Sequence, residues 1–177
     1  MFLRFFCFYI LIFLSFSCDN SKQDDNSTQS AQKQSIVLLK TVHGNTLIRL
    51  YPDKAPNTTI RFIELIKDGF YDGLQFYHVA KNSFIETGDP TNKGKLGSGK
   101  RMPLEANGLK PKKGSLIMKA LKEDRHRCDS QFYIQIAETN FLQDNPLSGV
   151  VFGQVTDGLD NLSLIQIGDK ILSISIE

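Results

Sequence analysis

Apolar residues change their spacing several times along this chain, and each change marks an element. Met1 to Ser17 is apolar apart from Arg4, whereas Asp19 to Gln34 holds no large apolar residue. From Ile36 onward, short apolar runs alternate with turn residues. The β-rich runs Ile36 to Val42 and Thr46 to Tyr51 flank His43-Gly44-Asn45, which predicts a hairpin. Ile60, Ile63 and Ile66 then recur at helical spacing, with Phe62 and Leu65 widening the stripe, Asn57 placed to cap the helix and Gly69 to end it. Gly114 to Ala120, Gln131 to Ala137 and Val150 to Val155 predict strands. Asp157 to Ile167 predicts a second helix with Leu159, Leu162 and Ile165 inward, and Leu172 to Glu177 alternates as a last strand. Many short strands with two helices imply a mainly β fold, a closed barrel whose closure removes exposed edges and leaves the helices as end caps.

One stretch is denser in chemistry than a connecting loop needs. Phe76 to Pro90, FYHVAKNSFIETGDP, reads as strand, polar bend, strand and turn. Period-two alternation predicts Phe76 and His78 on one face and Tyr77 and Val79 on the other. After the bend at Asn82-Ser83, Phe84 and Glu86 again share a side, which sets an aromatic ring and an acid near His78. The glycine-rich Gly94 to Gly99 follows no strand and lacks the Lys-Ser/Thr of a phosphate-binding loop, so a surface loop is expected there.

The first 34 residues carry a different message. The apolar run is shorter than the roughly 20 residues a spanning helix needs, which predicts a cleaved signal at 1–17. Small residues before Cys18 resemble a bacterial lipobox, so Cys18 is the expected lipidation site; a plain secretory signal with an incidental cysteine is the alternative. Residues 18–34 are then a disordered polar tether, because they cannot bury enough surface to offset their ordering entropy, and 35–177 are one folded domain. This organisation predicts a membrane-anchored lipoprotein of the bacterial envelope, facing the periplasm or exterior. The formal net charge is +2, and losing Arg4 with the signal leaves the chain near neutral, so no basic field favours nucleic acid. Cys128 is the single cysteine of the expected domain, which excludes a disulfide within it. A monomer is expected.

Several landmarks, in order, are similar to those of the cyclophilins, the peptidyl-prolyl cis-trans isomerases. They are Tyr51-Pro52-Asp53-Lys54-Ala55-Pro56 with Thr58, Gly69-Phe70-Tyr71-Asp72-Gly73-Leu74, Gly88-Asp89-Pro90, Lys113-Gly114, Ser130-Gln131-Phe132 and Val151-Phe152-Gly153. The resemblance covers roughly Ile36 to Ile167. It implies an eight-stranded antiparallel barrel capped by two α-helices, with a groove for proline-containing segments outside the barrel, and it requires no cofactor or metal. Rotation about an X-Pro amide faces a barrier of about 20 kcal/mol. A protein lowers it by gripping the proline ring in an apolar pocket and donating a hydrogen bond that stabilises the twisted amide.

The resemblance assigns residues and exposes departures. His78 stands where the family's donating arginine belongs, and an imidazole can also donate. Glu86 replaces a glutamine, and Gln131 is kept; these three are the expected catalytic group. Phe84, Tyr133, Phe141, Leu142 and Met118 are the expected substrate contacts. Ser83 replaces a pocket phenylalanine and Gly149 a pocket histidine. The loop Leu121 to Asp129 carries Arg125 and Arg127, either of which is long enough to return a guanidinium to the groove, although a solvated charged loop is the plainer reading. His126, Cys128 and Asp129 lack a second ligand cluster and make a weak metal site. Two functions follow: an isomerase assisting the folding of exported proteins, with activity reduced by His78, or a weak or inactive module that binds proline-containing segments or a protein partner.

Overall fold

The computed structural model describes residues 36–138 and 149–177. Cys18, the proposed signal and tether, and Phe141 and Leu142 lie outside them. The predicted hairpin forms from β1 (Ile36–Thr41) and β2 (Gly44–Leu50), with Thr41 opposite Gly44. Helix α1 (Pro56–Lys67) follows, then β3 (His78–Ala80), β4 (Phe84–Thr87) and the short β5 (Met102–Pro103). The remaining elements are β6 (Ser115–Ala120), β7 (Arg127–Gln135), β8 (Gly149–Asp157), helix α2 (Leu159–Ser163) and β9 (Ile171–Ile176).

The strands pair antiparallel in the order β3-β4-β7-β6-β8-β2-β1-β9, with β5 joined to β7 off that path. Eight strands on the path match the expected number, but the closed barrel is corrected to an open, curled half-barrel. Its end strands, β3 and β9, share no ladder; an isolated bridge, Gln75 with Lys170, and hydrogen bonds between Phe76 and the Gly168-Asp169 backbone span the gap. The reason is local. The approach to β9 is made by Gln75 and Phe76, ahead of the three-residue β3, so the two short edges meet at one bridge and not along a ladder.

Side chains fill the concave interior. Phe62 of α1 packs against Tyr71, Phe132 and Phe152 with centroids 5.1, 5.3 and 5.0 Å apart, so this helix contributes to the same interior core as the strands. Truncating so central a ring costs about 3–5 kcal/mol. The buried stripe of α1 is Phe62, Leu65 and Ile66 with Thr58 and Thr59, while Ile60, expected inward, is 57 % exposed. The cap also differs from expectation. The helix begins at Pro56, ahead of Asn57, and the Glu105 carboxylate, arriving from a distant loop, accepts from the Asn57 and Thr58 backbone N–H groups at 3.0 and 2.8 Å. A carboxylate at that end satisfies orphan donors and opposes the helix dipole.

Two buried carboxylates tie down the glycine-rich stretch that was expected to be a simple surface loop. Asp89 accepts from the N–H groups of Thr91, Lys93, Lys95 and Leu96, and Asp129 from those of Ser98 and Gly99. The loop is thereby fixed along one rim of the sheet. Gly88, at φ 96°, lets this corner close: a Cβ there would lie 2.2 Å from the Ser130 carbonyl.

Candidate active site

Strand alternation sorts the residues of β4, β7, β6 and β8 onto two faces. Ile85, Phe132, Ile134, Leu116, Met118, Val150 and Phe152 belong to the interior cluster. Phe84, Ile117 and Val151 make a second cluster on the opposite face, with Tyr51, Ala80 and Tyr133 against it. Phe84 and Tyr133 meet edge to face at 5.1 Å, forming an apolar shelf. Met118 is therefore corrected: it is fully buried inside, and its neighbours Ile117 and Lys119 share the shelf side.

A polar cluster borders this shelf. His78 faces Glu86 across the β3–β4 ladder, its Nδ1 3.3 Å from Glu86 Oε2, and its ring stands edge-on to Phe84 at 5.2 Å. The imidazole is half exposed, whereas Glu86 is buried. The Tyr77 hydroxyl donates to Glu86 Oε1 and lies 3.0 Å from Gln131 Oε1. The Lys119 ammonium also donates to Glu86 Oε1 and lies 5.9 and 5.8 Å from the ring centroids of Tyr77 and Tyr133. Gln131 donates through Nε2 to the Leu96 carbonyl of the tethered loop. Burial first, and then the Glu86 carboxylate, raise the Tyr77 and Tyr133 hydroxyls above the ordinary tyrosine value, so both stay protonated near neutral pH.

The structure thus brings His78, Phe84, Glu86, Gln131 and Tyr133 together. It also corrects the expected pairing of faces: Phe76 is buried in the interior and does not share a side with His78. The regular strand begins only at His78, so the period-two rule does not extend back to Phe76, and Tyr77 swings toward Glu86 instead. Sequence reasoning missed Tyr77 and Lys119. The signal for Lys119 was present, a lone lysine in the run Leu116-Ile117-Met118-Lys119-Ala120, where alternation sets it beside Ile117 and opposite Met118.

The departures have structural counterparts. Gly149, where the resemblance expects a histidine, leaves no room for one: a Cβ would lie 2.1 Å from the Met118 carbonyl and 2.8 Å from Ile117 Cγ2. Ser83 ends the β3–β4 bend, where its carbonyl accepts from Ile136 N–H. Arg125 lines a groove with Tyr133 and Gln131, while Arg127 opens β7 opposite Pro103. Cys128 enters the interior and Asp129 is taken by Ser98 and Gly99, so neither is presented with His126 as a metal ligand.

An apolar shelf outside a curled half-barrel, bordered by donors and a glutamine, agrees with the matches to known proteins. The family model "Cyclophilin type peptidyl-prolyl cis-trans isomerase/CLD" matches residues 36–174. The chain belongs to the cyclophilin-type isomerase family. Among its relatives, peptidyl-prolyl cis-trans isomerase B of Escherichia coli is 32% identical over 74% of this chain and 84% of its own length. A peptidyl-prolyl cis-trans isomerase of Synechococcus elongatus is 34% identical over 79% of this chain and 94% of its own. A cyclophilin-type isomerase of Cryptosporidium parvum, crystallised in the presence of the dipeptide Ala-Pro, superposes with a TM-score of 0.69 at 26% identity, covering 80% of this chain and 98% of that one.

Proposed function

We propose that this cyclophilin is an isomerase of X-Pro bonds in exported or envelope proteins, assisting their folding from a lipid anchor at Cys18. The observation that carries the catalytic part is the Phe84–Tyr133 shelf with His78 at its edge. A proline ring laid on the shelf, against Ile117 and Val151, presents its amide to the polar border. His78 donates to that amide as it twists and its nitrogen loses conjugation, while Gln131, held by the tethered loop, aligns the peptide backbone; Glu86 orients His78 from behind. The family resemblance adds Phe141 and Leu142 to the substrate contacts in this reading. The barrier falls because the donor meets the twisted state better than the planar one. An imidazole is a weaker substitute for an always-charged, planar guanidinium, so turnover is reduced relative to arginine-bearing relatives.

A coupled X-Pro isomerisation assay on the protein tests this reading, and a rate no faster than the uncatalysed reaction would overturn it. One observation favours a second reading, a module that holds proline segments without useful turnover. His78 faces the buried Glu86 rather than standing free, and binding without isomerisation would select that alternative. The anchor has its own test: Cys18→Ser should move the protein from the membrane to the soluble fraction, and continued membrane association would count against lipidation.

A further inference from the structure

Next to the shelf runs a groove of about 450 Å³ whose walls include Lys95, Lys119, Lys122, Arg125, Gln131 and Tyr133. It shares Gln131 and Tyr133 with the proline shelf, so a peptide lying on one continues into the other. Four cations line it; Lys119 is paired with the buried Glu86 carboxylate, and the one acid in the lining, Glu123, is occupied by Arg101 at 2.7 Å. Among the described residues, no ion pair engages Lys95, Lys122 or Arg125. Lys119 is the innermost of the four, with a side chain only 20 % exposed, and it joins the groove to the Glu86 carboxylate at the floor of the site. Arg125 stands near enough to Tyr133 to oppose the upward shift of its hydroxyl.

We propose that this cationic groove makes the protein select proline-containing segments that carry an anionic side chain within a few residues of the proline. The inference rests on the proposed peptide-binding role of the shelf. A concave site lined by one sign of charge raises the local concentration of opposite charge and disfavours like-charged partners. Lys95, Lys122 and Arg125 are the specificity-determining cations, because the charge of Lys119 is already met by the buried Glu86 carboxylate while theirs stays available to a ligand. Lys119, held by Glu86 and the rings of Tyr77 and Tyr133, forms the fixed inner wall of the groove. Carboxylate and phosphate share the chemistry this groove recognises.

Matched proline peptides test the proposal by fluorescence anisotropy on the intact protein. Each carries glutamine, glutamate, lysine or phosphoserine, placed two residues before or two residues after the proline. At low salt the glutamate peptide in one of these placements should bind about fivefold tighter than its glutamine twin, the gain expected of a good partly screened ion pair, and the lysine peptide more weakly still. The preference should shrink with added salt. The triple variant Lys95→Gln, Lys122→Gln and Arg125→Gln should abolish it, and the double variant Lys122→Gln with Arg125→Gln should weaken it. The phosphoserine arm distinguishes the anion: tighter binding than glutamate assigns phosphorylated segments, and equal or weaker binding assigns acidic ones. Equal affinity for all peptides in the wild type overturns the charge selectivity while leaving the shelf's role intact. Absence of binding by every peptide overturns both.

Discussion

Lys119 on β6 reaches past Tyr133 on β7 to pair with the buried Glu86 carboxylate on β4. Three adjacent strands are thereby joined on the face that carries the aromatic shelf. The same carboxylate receives the Tyr77 hydroxyl and lies opposite His78. One buried acid therefore organises a cation, a phenol and an imidazole, none of which occupies a regular helix or turn motif.

His78 is the first position to alter. Substituting Ala should lower X-Pro isomerisation by about two- to tenfold, since a hydrogen bond contributes about 0.5–1.5 kcal/mol net. Substituting Arg should raise it above wild type, because a guanidinium is always charged and donates from a rigid plane. Turnover of both variants on one peptide substrate checks this. Equal rates for His78→Ala and wild type would remove His78 as the donor.

Gly149→His, which restores the side chain the family resemblance expects, should fail to rescue activity and should destabilise the fold by about 1–3 kcal/mol through overpacking. The cause is the close approach of β8 to the Met118 carbonyl. Urea unfolding midpoints measure the effect, and an unchanged midpoint would contradict it.

Asp89 makes stability depend on acid. Burial alone would raise its carboxyl, but hydrogen bonds from Thr91, Lys95 and Leu96 outweigh that and hold it below the ordinary value. Its stabilising effect is complete above the unfolded value of about 3.9 and is lost as pH falls through the lower folded value. Asp89→Asn should cost about 1–3 kcal/mol at neutral pH, with thermal unfolding that varies less than wild type across the acid range. Parallel acid limbs in the two proteins would exclude this role.

Cys128 should be inert in the native state. Burial, with smaller contributions from Glu105 and Asp129, pushes its thiol up to about 12, so almost no thiolate exists at neutral pH. Alkylation of the Cys128-containing peptide, read by mass spectrometry, should be slow until denaturant is added. Complete labelling of the folded protein would show that the residue is accessible.

Much of this molecule was legible before any coordinates. The hairpin of β1 and β2, the existence of α1, the strand runs of β6 to β9 and the placing of Phe84, Glu86, Gln131 and Tyr133 follow from local periodicity and from family landmarks, both of which are properties of neighbouring residues. Alternation also contained Lys119 and the interior position of Met118, because a strand's two faces are set by its backbone alone. What only the tertiary structure decided involves partners distant in sequence. Glu105 caps a helix nearly fifty residues earlier, Asp129 anchors a loop some thirty residues away, and the two short edges meet at one bridge, which leaves the barrel open. The convergence of Tyr77, His78 and Lys119 on Glu86 is of the same kind. Strand order brings these residues together, and strand order is chosen by the burial of the whole interior, whereas periodicity reports only which way each side chain points.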